Sequence, residues 1–366
     1  MSGSGTVIRH ALELGHSAIG FDLDPLAILM SRVWTTRVAD TDIGEEFRLL
    51  KITIAALGDA VPVLSWQRDA ETVKFLEYWF HGKQRSELTK IAYAIDERSR
   101  ALRSPERLAA LDAIKVAFSR IIITKEQCAS LARDTSHSRP HRVATESAYE
   151  VMPNFERSVA QLRKRLTENP APGNATVRRG DARSLDIEDG SIDAVVTSPP
   201  YLNAIDYMRG HRMSLVWLGH SIPELRSVRS ASIGAERSAD KHHHAEDVES
   251  LVKSMRGVTP LAGRMEGVLV RYALDLLGMT SEVARVLRPG GIATFVIGNS
   301  CIKGIFVNNA EGVARSVQSA GMKISERRDR DLPTANRYLP VTGDSLSKRM
   351  RTETILICRK PKGSSN

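Results

Sequence analysis

The sequence lacks several features that mark whole classes of protein. Three cysteines in 366 residues, Cys128, Cys301 and Cys358, are too widely spaced for a disulfide framework or a zinc motif. No apolar run approaches the roughly 20 residues that span a bilayer, and the N-terminus lacks the basic and then apolar pattern of a signal peptide. We therefore expect a soluble protein of a reducing cytoplasm, without a bound metal and without a membrane partner.

Acidic residues are also in short supply. The 43 Asp and Glu residues are outnumbered by 52 Lys and Arg residues, which gives a formal net charge of +9. A basic surplus favours an acidic partner such as nucleic acid, although many basic proteins bind none. The chain is long enough for one large domain with an insertion or for two domains.

A rigid polar loop follows one apolar segment. Residues 195–201 read Val-Val-Thr-Ser-Pro-Pro-Tyr. The β-branched run suits a buried strand, and the prolines end it because neither can donate a backbone hydrogen bond. Ligands bind beyond the carboxyl ends of strands in open α/β sheets, so Ser198 and Tyr201 are expected where chemistry occurs. An ordinary diproline turn is the alternative.

The Ser-Pro-Pro-Tyr motif resembles the catalytic motif of the amino-methylating DNA methyltransferases. Its serine form is typical of members that modify N4 of cytosine, whereas members that modify N6 of adenine usually carry Asp or Asn. The resemblance implies methyl transfer from S-adenosylmethionine to the exocyclic N4 amine of cytosine in DNA, with Ser198, Pro199, Pro200 and Tyr201 as catalytic residues. No cysteine follows a proline, which disfavours methylation at cytosine C5 through a thiolate.

Glycines and an acid near the N-terminus resemble the cofactor-binding region of the same family. Residues 3–6 read Gly-Ser-Gly-Thr, and residues 20–25 read Gly-Phe-Asp-Leu-Asp-Pro. Glycines let the backbone approach a ligand, and an acid at a strand end accepts hydrogen bonds from ribose hydroxyls. The resemblance implies that Gly3, Gly5 and Asp22 bind S-adenosylmethionine. A turn or helix-capping role is the alternative for Asp22.

Two further features fit that family. Asp181 follows a predicted strand at 175–179 and matches the acid that contacts the adenine amine of the cofactor, although an aspartate there also caps helices. Residues 287–291, Leu-Arg-Pro-Gly-Gly, are frequent in S-adenosylmethionine-dependent methyltransferases. The expected fold is therefore α/β, with a Rossmann-like methyltransferase sheet.

That expected sheet lacks its first strand. In the family an apolar strand precedes the glycine turn and lies in the middle of the sheet, whereas only Met1 and Ser2 precede Gly3 here. We expect a missing N-terminal segment or a complementary chain to supply the strand. A catalytically inactive DNA-binding subunit is one alternative to the cytosine-N4 enzyme, and amine methylation of adenine N6 in DNA or of RNA is another.

A large helical insertion interrupts the alternation of strands and helices. Apolar spacing predicts helices at 45–57, 69–80, 84–98 and 105–118, with a helix start at Ser104 and Pro105 and a helix end at Gly82. Trp66, Tyr78, Trp79 and Phe80 are expected in its core. We accordingly expect a cofactor half at 1–39, the insertion at 40–172, which contacts DNA, and a catalytic half at 173–366.

Loop arginines are the predicted contacts to nucleic acid. Contacts between arginine and phosphate position DNA without reading its sequence. These residues are Arg133, Arg139 and Arg142 in the insertion, Arg209 and Arg212 after the catalytic motif, and Arg349 before the last strand. A solvated basic loop of no specific role is the alternative for the insertion.

Overall fold

A computed structural model describes residues 1–133, 140–202, 206–235, 246–257, 261, 263–302, 305–331 and 352–362. The chain divides into two compact units. The helical unit comprises residues 2–179 and 207–229, and the sheet unit comprises Met1 with residues 180–206 and 230–366. Both units mix helices and strands, so the α/β class is confirmed. The domain boundaries at residues 39 and 172 stay a prediction.

The helical unit contains a two-stranded parallel sheet and most of the helices. Strand β1 (Ile19–Asp22) pairs with β4 (Thr176–Arg179). The remaining elements are α1 (Thr6–Glu13), α2 (Pro25–Thr35), α3 (Asp40–Ala56), a 3-10 turn (Ser65–Gln67), α4 (Ala70–Trp79), α5 (Gly82–Ala101), α6 (Pro105–Ser119), β2 (Ala132–Arg133), β3 (His141–Arg142), α7 (Val151–Glu168), α8 (Met208–Leu215) and most of α9 (Ile222–Ala231). None of the helices in the described ranges has the length and apolarity needed to cross a membrane.

The predicted helices of the insertion are confirmed, with one wrong boundary. Helix α6 begins at Pro105, and the Ser104 hydroxyl caps it by accepting a hydrogen bond from the backbone N–H of Arg107 at 3.5 Å. Gly82 opens α5 instead of ending α4. The reason is that α4 already ends at Phe80, whose extended backbone (φ −135°, ψ 130°) breaks the helix before the glycine.

The core of the helical unit follows the predicted periodicity only in part. Phe80 is buried and meets Trp217 edge to face, with ring centroids 5.0 Å apart. Trp66 and Trp79 are half-buried against the same core. Tyr78 is 51% exposed, so its assignment to the core was wrong. Its neighbours on α4 already fill the interior, and the guanidinium of Arg142 lies over the exposed ring, 5.0 Å from its centroid.

The spacing of Val7, Ala11 and Leu14 predicts that they share the covered face of a helix, but α1 buries a different face. Val7 and Leu14 are 45% and 63% exposed, whereas Ile8 is buried. Ile8 packs on β1 at Gly20, where an added Cβ would lie 2.1 Å from the Ile8 Cδ1. Contact with the sheet therefore decides which side of α1 is covered.

The sheet unit is built on four strands in the order β5-β6-β10-β9. Strand β5 (Ile192–Thr197) is parallel to β6 (Leu287–Gly298), and β10 (Thr352–Arg359) is antiparallel to β6 and β9 (Lys323–Asp331). The other elements are α10 (Glu246–Arg256), α11 (Arg264–Val286), β7 (Ser300–Ile302), β8 (Ile305–Val307) and α12 (Asn309–Ser319). The apolar spacing of residues 268–287 predicts a helix that buries Tyr272, Leu276, Met279 and Val283, and all four are buried on α11.

Two strands have an edge without a paired neighbour in the described part of the chain. Strand β1 pairs with no strand other than β4, although the backbone N–H of Ser2 donates to the Phe21 carbonyl on β1 at 2.8 Å, and β5 pairs with no strand other than β6. Ile19 on β1 and Val196 on β5 are 49% and 48% exposed, although parallel strands usually have both faces covered. The segment or chain expected to supply the family's first strand stays a prediction.

A buried carboxylate joins three helices of the insertion. Glu46 on α3 is fully buried and accepts two hydrogen bonds from Arg98 on α5, each 2.9 Å long. Arg107 on α6 donates a third from its Nε at 2.5 Å. The single negative charge therefore holds two guanidinium groups in place.

We expect Glu46→Gln to lower the free energy of unfolding of the helical unit by about 3 kcal/mol, because it leaves the partly buried Arg98 without a compensating charge and leaves Arg107 with only the longer contact to Asp42, at 3.8 Å. Urea denaturation followed by circular dichroism measures the change. Glu45→Gln is the matched control, since Glu45 pairs with Arg48 on the exposed side of α3 and should leave the midpoint unchanged. Equal midpoints for the two variants would contradict the structural role of Glu46.

Candidate active site

The glycine turn and Asp22 meet in the helical unit. The backbone N–H of Gly3 donates to Asp22 Oδ2 at 2.9 Å, and the N–H of Asp24 donates to Oδ1 at 3.1 Å. Gly3 and Gly5 have φ values of 52° and 87°, a region that favours glycine. Asp22 thus shapes the turn as its alternative role required, and each of its carboxylate oxygens keeps lone pairs for a ligand.

The two glycines of the turn serve different needs. A Cβ at Gly3 would have nothing within 4 Å, so the backbone there is open to a ligand. A Cβ at Gly5 would lie 2.6 Å from the Ser31 Oγ and 2.9 Å from the Ser31 Cα on α2. Close packing of the turn on α2 therefore accounts for Gly5 without any ligand.

Asp24 and His211 form a pair that sequence reasoning missed. Asp24 caps α2 by accepting from the N–H of Leu26 at 2.9 Å, and its Oδ2 lies 2.5 Å from Nδ1 of His211. Burial by itself raises the pKa of Asp24, but the hydrogen bond and charge of His211, with the backbone bonds, lower it overall. The Asp-Pro pair signals the cap, whereas nothing near His211 signals its partner.

Asp181 lies in the sheet unit, and its carboxylate accepts hydrogen bonds from the guanidinium group of Arg183. Arg183 donates to it from its backbone N and Nε, both at 2.9 Å to Oδ1, and from Nη2 at 2.6 Å to Oδ2. Its Nη1 also binds the buried Asp275. Burial raises the pKa of Asp181, but the hydrogen bonds and charge of Arg183 outweigh it and lower the pKa overall. The predicted contact with adenine therefore requires that the Asp181 carboxylate accept from the adenine amine and from Arg183 at the same time.

The Ser-Pro-Pro-Tyr loop follows β5, as the sequence predicted. Ser198 is exposed, and its hydroxyl donates to the Val296 carbonyl on β6 at 2.9 Å. The same hydroxyl also hydrogen-bonds the Tyr201 phenol, which offsets part of the rise in the pKa of that phenol, and the serine oxygen keeps lone pairs as acceptors. No hydrogen bond reaches the Pro199 carbonyl from any residue in the described ranges. The loop therefore has two adjacent groups with acceptor capacity left, the exposed Ser198 oxygen and the carbonyl of the buried Pro199.

Three distant residues hold the rest of the loop. The buried Tyr272 hydroxyl donates to the Pro200 carbonyl at 3.0 Å. The Tyr201 hydroxyl donates to Glu353 Oε1 at 3.2 Å, and Arg330 Nη2 binds Oε2 of the same carboxylate at 2.6 Å. Burial is the main cause that raises the pKa of Tyr201. Glu353 and Arg330 lie on β10 and β9, too far along the chain for a local motif to reveal them.

The predicted nucleic-acid contacts are placed unevenly. Arg133 points its Nη1 at the Ala132 carbonyl, 2.7 Å away, and Arg212 lies over the ring of Phe75. Arg142 lies over Tyr78 and is exposed, and Arg209 is on α8. Arg139 and Arg349 lie outside the described residues. The contacts of all six arginines with nucleic acid stay predictions.

We expect Gly5→Ala to lower the free energy of unfolding of the helical unit by about 2–4 kcal/mol, because it adds overlap with Ser31 to an unfavourable positive φ. Gly3→Ala carries only the backbone penalty, about 1 kcal/mol. Chemical denaturation of the two variants provides the comparison. A larger loss in Gly3→Ala than in Gly5→Ala would show that the packing on α2 is not the constraint.

The lowered pKa of Asp24 predicts a pH-dependent contribution to stability. The contribution is present above the ordinary aspartate pKa of 3.8 and is lost as pH falls through the lower folded-state pKa. Asp24→Asn retains a capping side chain but loses the charge. The stability difference between wild type and Asp24→Asn should therefore be full near pH 6 and shrink towards pH 3, as measured by denaturation at each pH. A constant difference would contradict the prediction, and exposed Asp59→Asn is the control.

Comparison with known proteins gives one partial sequence match. No family model matches the chain. A stretch of 47 residues is 43% identical to the type II methyltransferase M.BsoBI of Geobacillus stearothermophilus. It covers 13% of this chain and spans only 9% of the length of that protein.

Solved structures give weaker likenesses. TTHA0409 of Thermus thermophilus, a candidate DNA modification methylase, is 19% identical, covering 51% of this chain and 54% of that one, with a TM-score of 0.26. A SAM-dependent methyltransferase of Methanosarcina mazei is 10% identical, covering 55% of this chain and 77% of its own, with a TM-score of 0.26. At such scores the likenesses carry no argument, and the sequence match records a similarity to one type II methyltransferase over a short segment.

Proposed function

We propose that this chain is an S-adenosylmethionine-dependent DNA methyltransferase whose target is the exocyclic N4 amine of cytosine. The observation that carries the proposal is the state of the Ser198 hydroxyl, which donates to Val296 and keeps its lone pairs for a substrate. The adjacent Pro199 carbonyl is the second acceptor. The partial identity to a type II methyltransferase supports the same reaction class.

The two acceptors suit an amine that carries two N–H bonds. The lone pair of an exocyclic base amine is delocalised into the ring, so the amine is a poor nucleophile. Ser198 and the Pro199 carbonyl accept hydrogen bonds from its two N–H groups and orient the nitrogen, which is a positioning and electrostatic effect. The amine exchanges one N–H bond for the new N–C bond, and the released proton passes to solvent. The base must leave the duplex to be reached, and the ring of Tyr201, anchored through Glu353, is the surface on which it stacks.

The residues of the glycine turn fit the proposed cofactor. When bound, S-adenosylmethionine supplies a methyl group on a positively charged sulfur. The open backbone at Gly3 permits close approach, and the Asp22 carboxylate has lone pairs left for ribose hydroxyls. Gly5 maintains the turn against α2, and Asp181 is the proposed acceptor for the adenine amine.

The target base is identified by analysing the product. Unmethylated DNA is incubated with the protein and S-adenosylmethionine and digested to nucleosides, which are then identified by mass spectrometry. We expect N4-methylcytosine. N6-methyladenine would overturn the cytosine assignment while retaining a DNA methyltransferase. Absence of methylation together with absence of cofactor binding in titration calorimetry would support the inactive DNA-binding subunit.

We expect Ser198→Ala to lower kcat on the order of 100-fold, because it removes one of the two acceptors that orient the amine. Steady-state methyl transfer measures the loss, and calorimetry should show unchanged affinity for S-adenosylmethionine. Ser191→Ala is the control, since the Ser191 hydroxyl donates to the Glu188 carbonyl before β5. Undiminished methyl transfer by Ser198→Ala would remove the loop from the mechanism.

A further inference from the structure

A cavity of about 420 Å³ lies in the helical unit, formed by residues that the proposed mechanism does not use. It lies where α6 ends and α7 begins, and its lining includes Arg120 after α6, Lys125 in the following turn, and Asn154 and Arg157 in the first two turns of α7. Helix α7 forms one wall, and the turn that follows α6 forms much of the rest. Its size is in the range of ligand-binding cavities.

The charges that line this cavity are unbalanced. Arg120, Lys125 and Arg157 contribute three positive charges, and Glu126 contributes one negative charge. No hydrogen bond or ion pair from the described residues reaches the side chains of Arg120 and Lys125. Arg157 donates only to the neutral amide of Asn154, at 3.1 Å. The cavity therefore lacks the negative charge that its cations would favour.

Among the cations that line the cavity, Arg120 has surroundings that disfavour its positive charge. It is half-buried, and the charge that acts on it most clearly is that of another guanidinium, Arg165. Burial and the charge of Arg165 both lower the pKa of Arg120. The negative end of the α6 dipole offsets part of this cost, but only by a partial charge. A bound anion would compensate the remainder.

A neutral hydrogen-bond donor in the lining also favours an anion. Burial raises the pKa of the Tyr149 phenol to about 12, so its hydroxyl stays protonated at neutral pH and can donate to an anion. The start of α7 contributes little to this preference, because the Glu87 carboxylate already accepts a hydrogen bond from the backbone N–H of Val151, at 3.2 Å. Among the described residues of the lining, Ile121 is the one aliphatic side chain. The surface therefore suits a polar, charged ligand better than an apolar one.

We propose that this cavity binds a backbone phosphate of nucleic acid. Planar guanidinium groups match the oxygens of a phosphate, and an ammonium group adds a further charge. The proposal rests on the function proposed above only in taking nucleic acid as the macromolecule bound. These residues differ from the loop arginines predicted from the sequence, and they place a phosphate contact on the helical insertion.

The test compares two double variants that remove equal charge. Lys125→Gln with Arg157→Gln removes two cations of the cavity, and Arg48→Gln with Lys164→Gln removes two exposed cations of the same unit that do not line it. Fluorescence anisotropy measures binding of each protein to a DNA duplex from about 50 to about 300 mM salt, a range over which phosphate contacts weaken strongly. Thermal unfolding confirms that both variants fold.

We expect the cavity variant to bind DNA about 10-fold more weakly near 0.1 M salt, with a salt-dependence slope reduced by about 1–2, as for the loss of one or two phosphate contacts. The control variant should change affinity less than about 2-fold. Equal losses in the two variants would overturn the proposal. If the cavity variant fails to fold, Glu126→Gln replaces it: removal of this carboxylate from the lining should tighten DNA binding, and unchanged or weaker binding would overturn the proposal.

Inorganic phosphate distinguishes the two sources of the anion. Calorimetric phosphate binding that the cavity variant loses, with DNA affinity equal to that of the control, would identify a small-anion site and overturn the nucleic-acid assignment. The function proposed above fails separately: cavity-dependent DNA binding without methyl transfer rejects the enzyme alone. Methyl transfer with DNA binding that is equal in both double variants rejects the cavity alone.

Discussion

The parallel pairing of β5 with β6 is the constraint on which the candidate catalytic loop depends. The register sets Thr197 opposite Phe295, so Ser198 leaves the sheet beside Val296 and donates to its carbonyl. In that hydrogen bond the hydroxyl is the donor, and lone pairs remain on its oxygen. Tyr272, which donates to the Pro200 carbonyl, then holds the next part of the loop.

Carboxylates in this chain are held by nearby donors wherever a ligand is expected. Asp22 accepts from two backbone N–H groups, and Asp181 accepts from Arg183. Such partners hold a carboxylate in one orientation, but they also take part of its acceptor capacity. Asp22 retains acceptor sites around a turn, whereas Asp181 would have to share a guanidinium. The two carboxylates predicted to bind the cofactor thus differ in how much of their acceptor capacity remains for a ligand.

Local patterns predicted most of the helices. The buried positions of α6 and α11 and the cap at Ser104 follow from apolar spacing and from side-chain oxygens next to proline, which act within a few residues. The errors came where another element decides the outcome. The covered side of α1 is the one that packs on β1 at Gly20. Tyr78 is exposed because other residues of α4 fill the core. Periodicity finds a helix face but cannot choose between two apolar faces.

The sequence alone determined the Ser-Pro-Pro-Tyr loop, the glycine turn, the acid that ends β1 and the helices α3 to α6, because each is set by residue types at short spacing. The tertiary structure alone decided which distant residues hydrogen-bond to those groups or place charges together. Glu353 reaches Tyr201 from a strand 152 residues further along the chain, His211 reaches Asp24 from α8, and the unbalanced cations near Arg120 meet where two helices of the insertion come together. Hydrogen bonds and charges act through space, so their partners emerge only when the chain is folded.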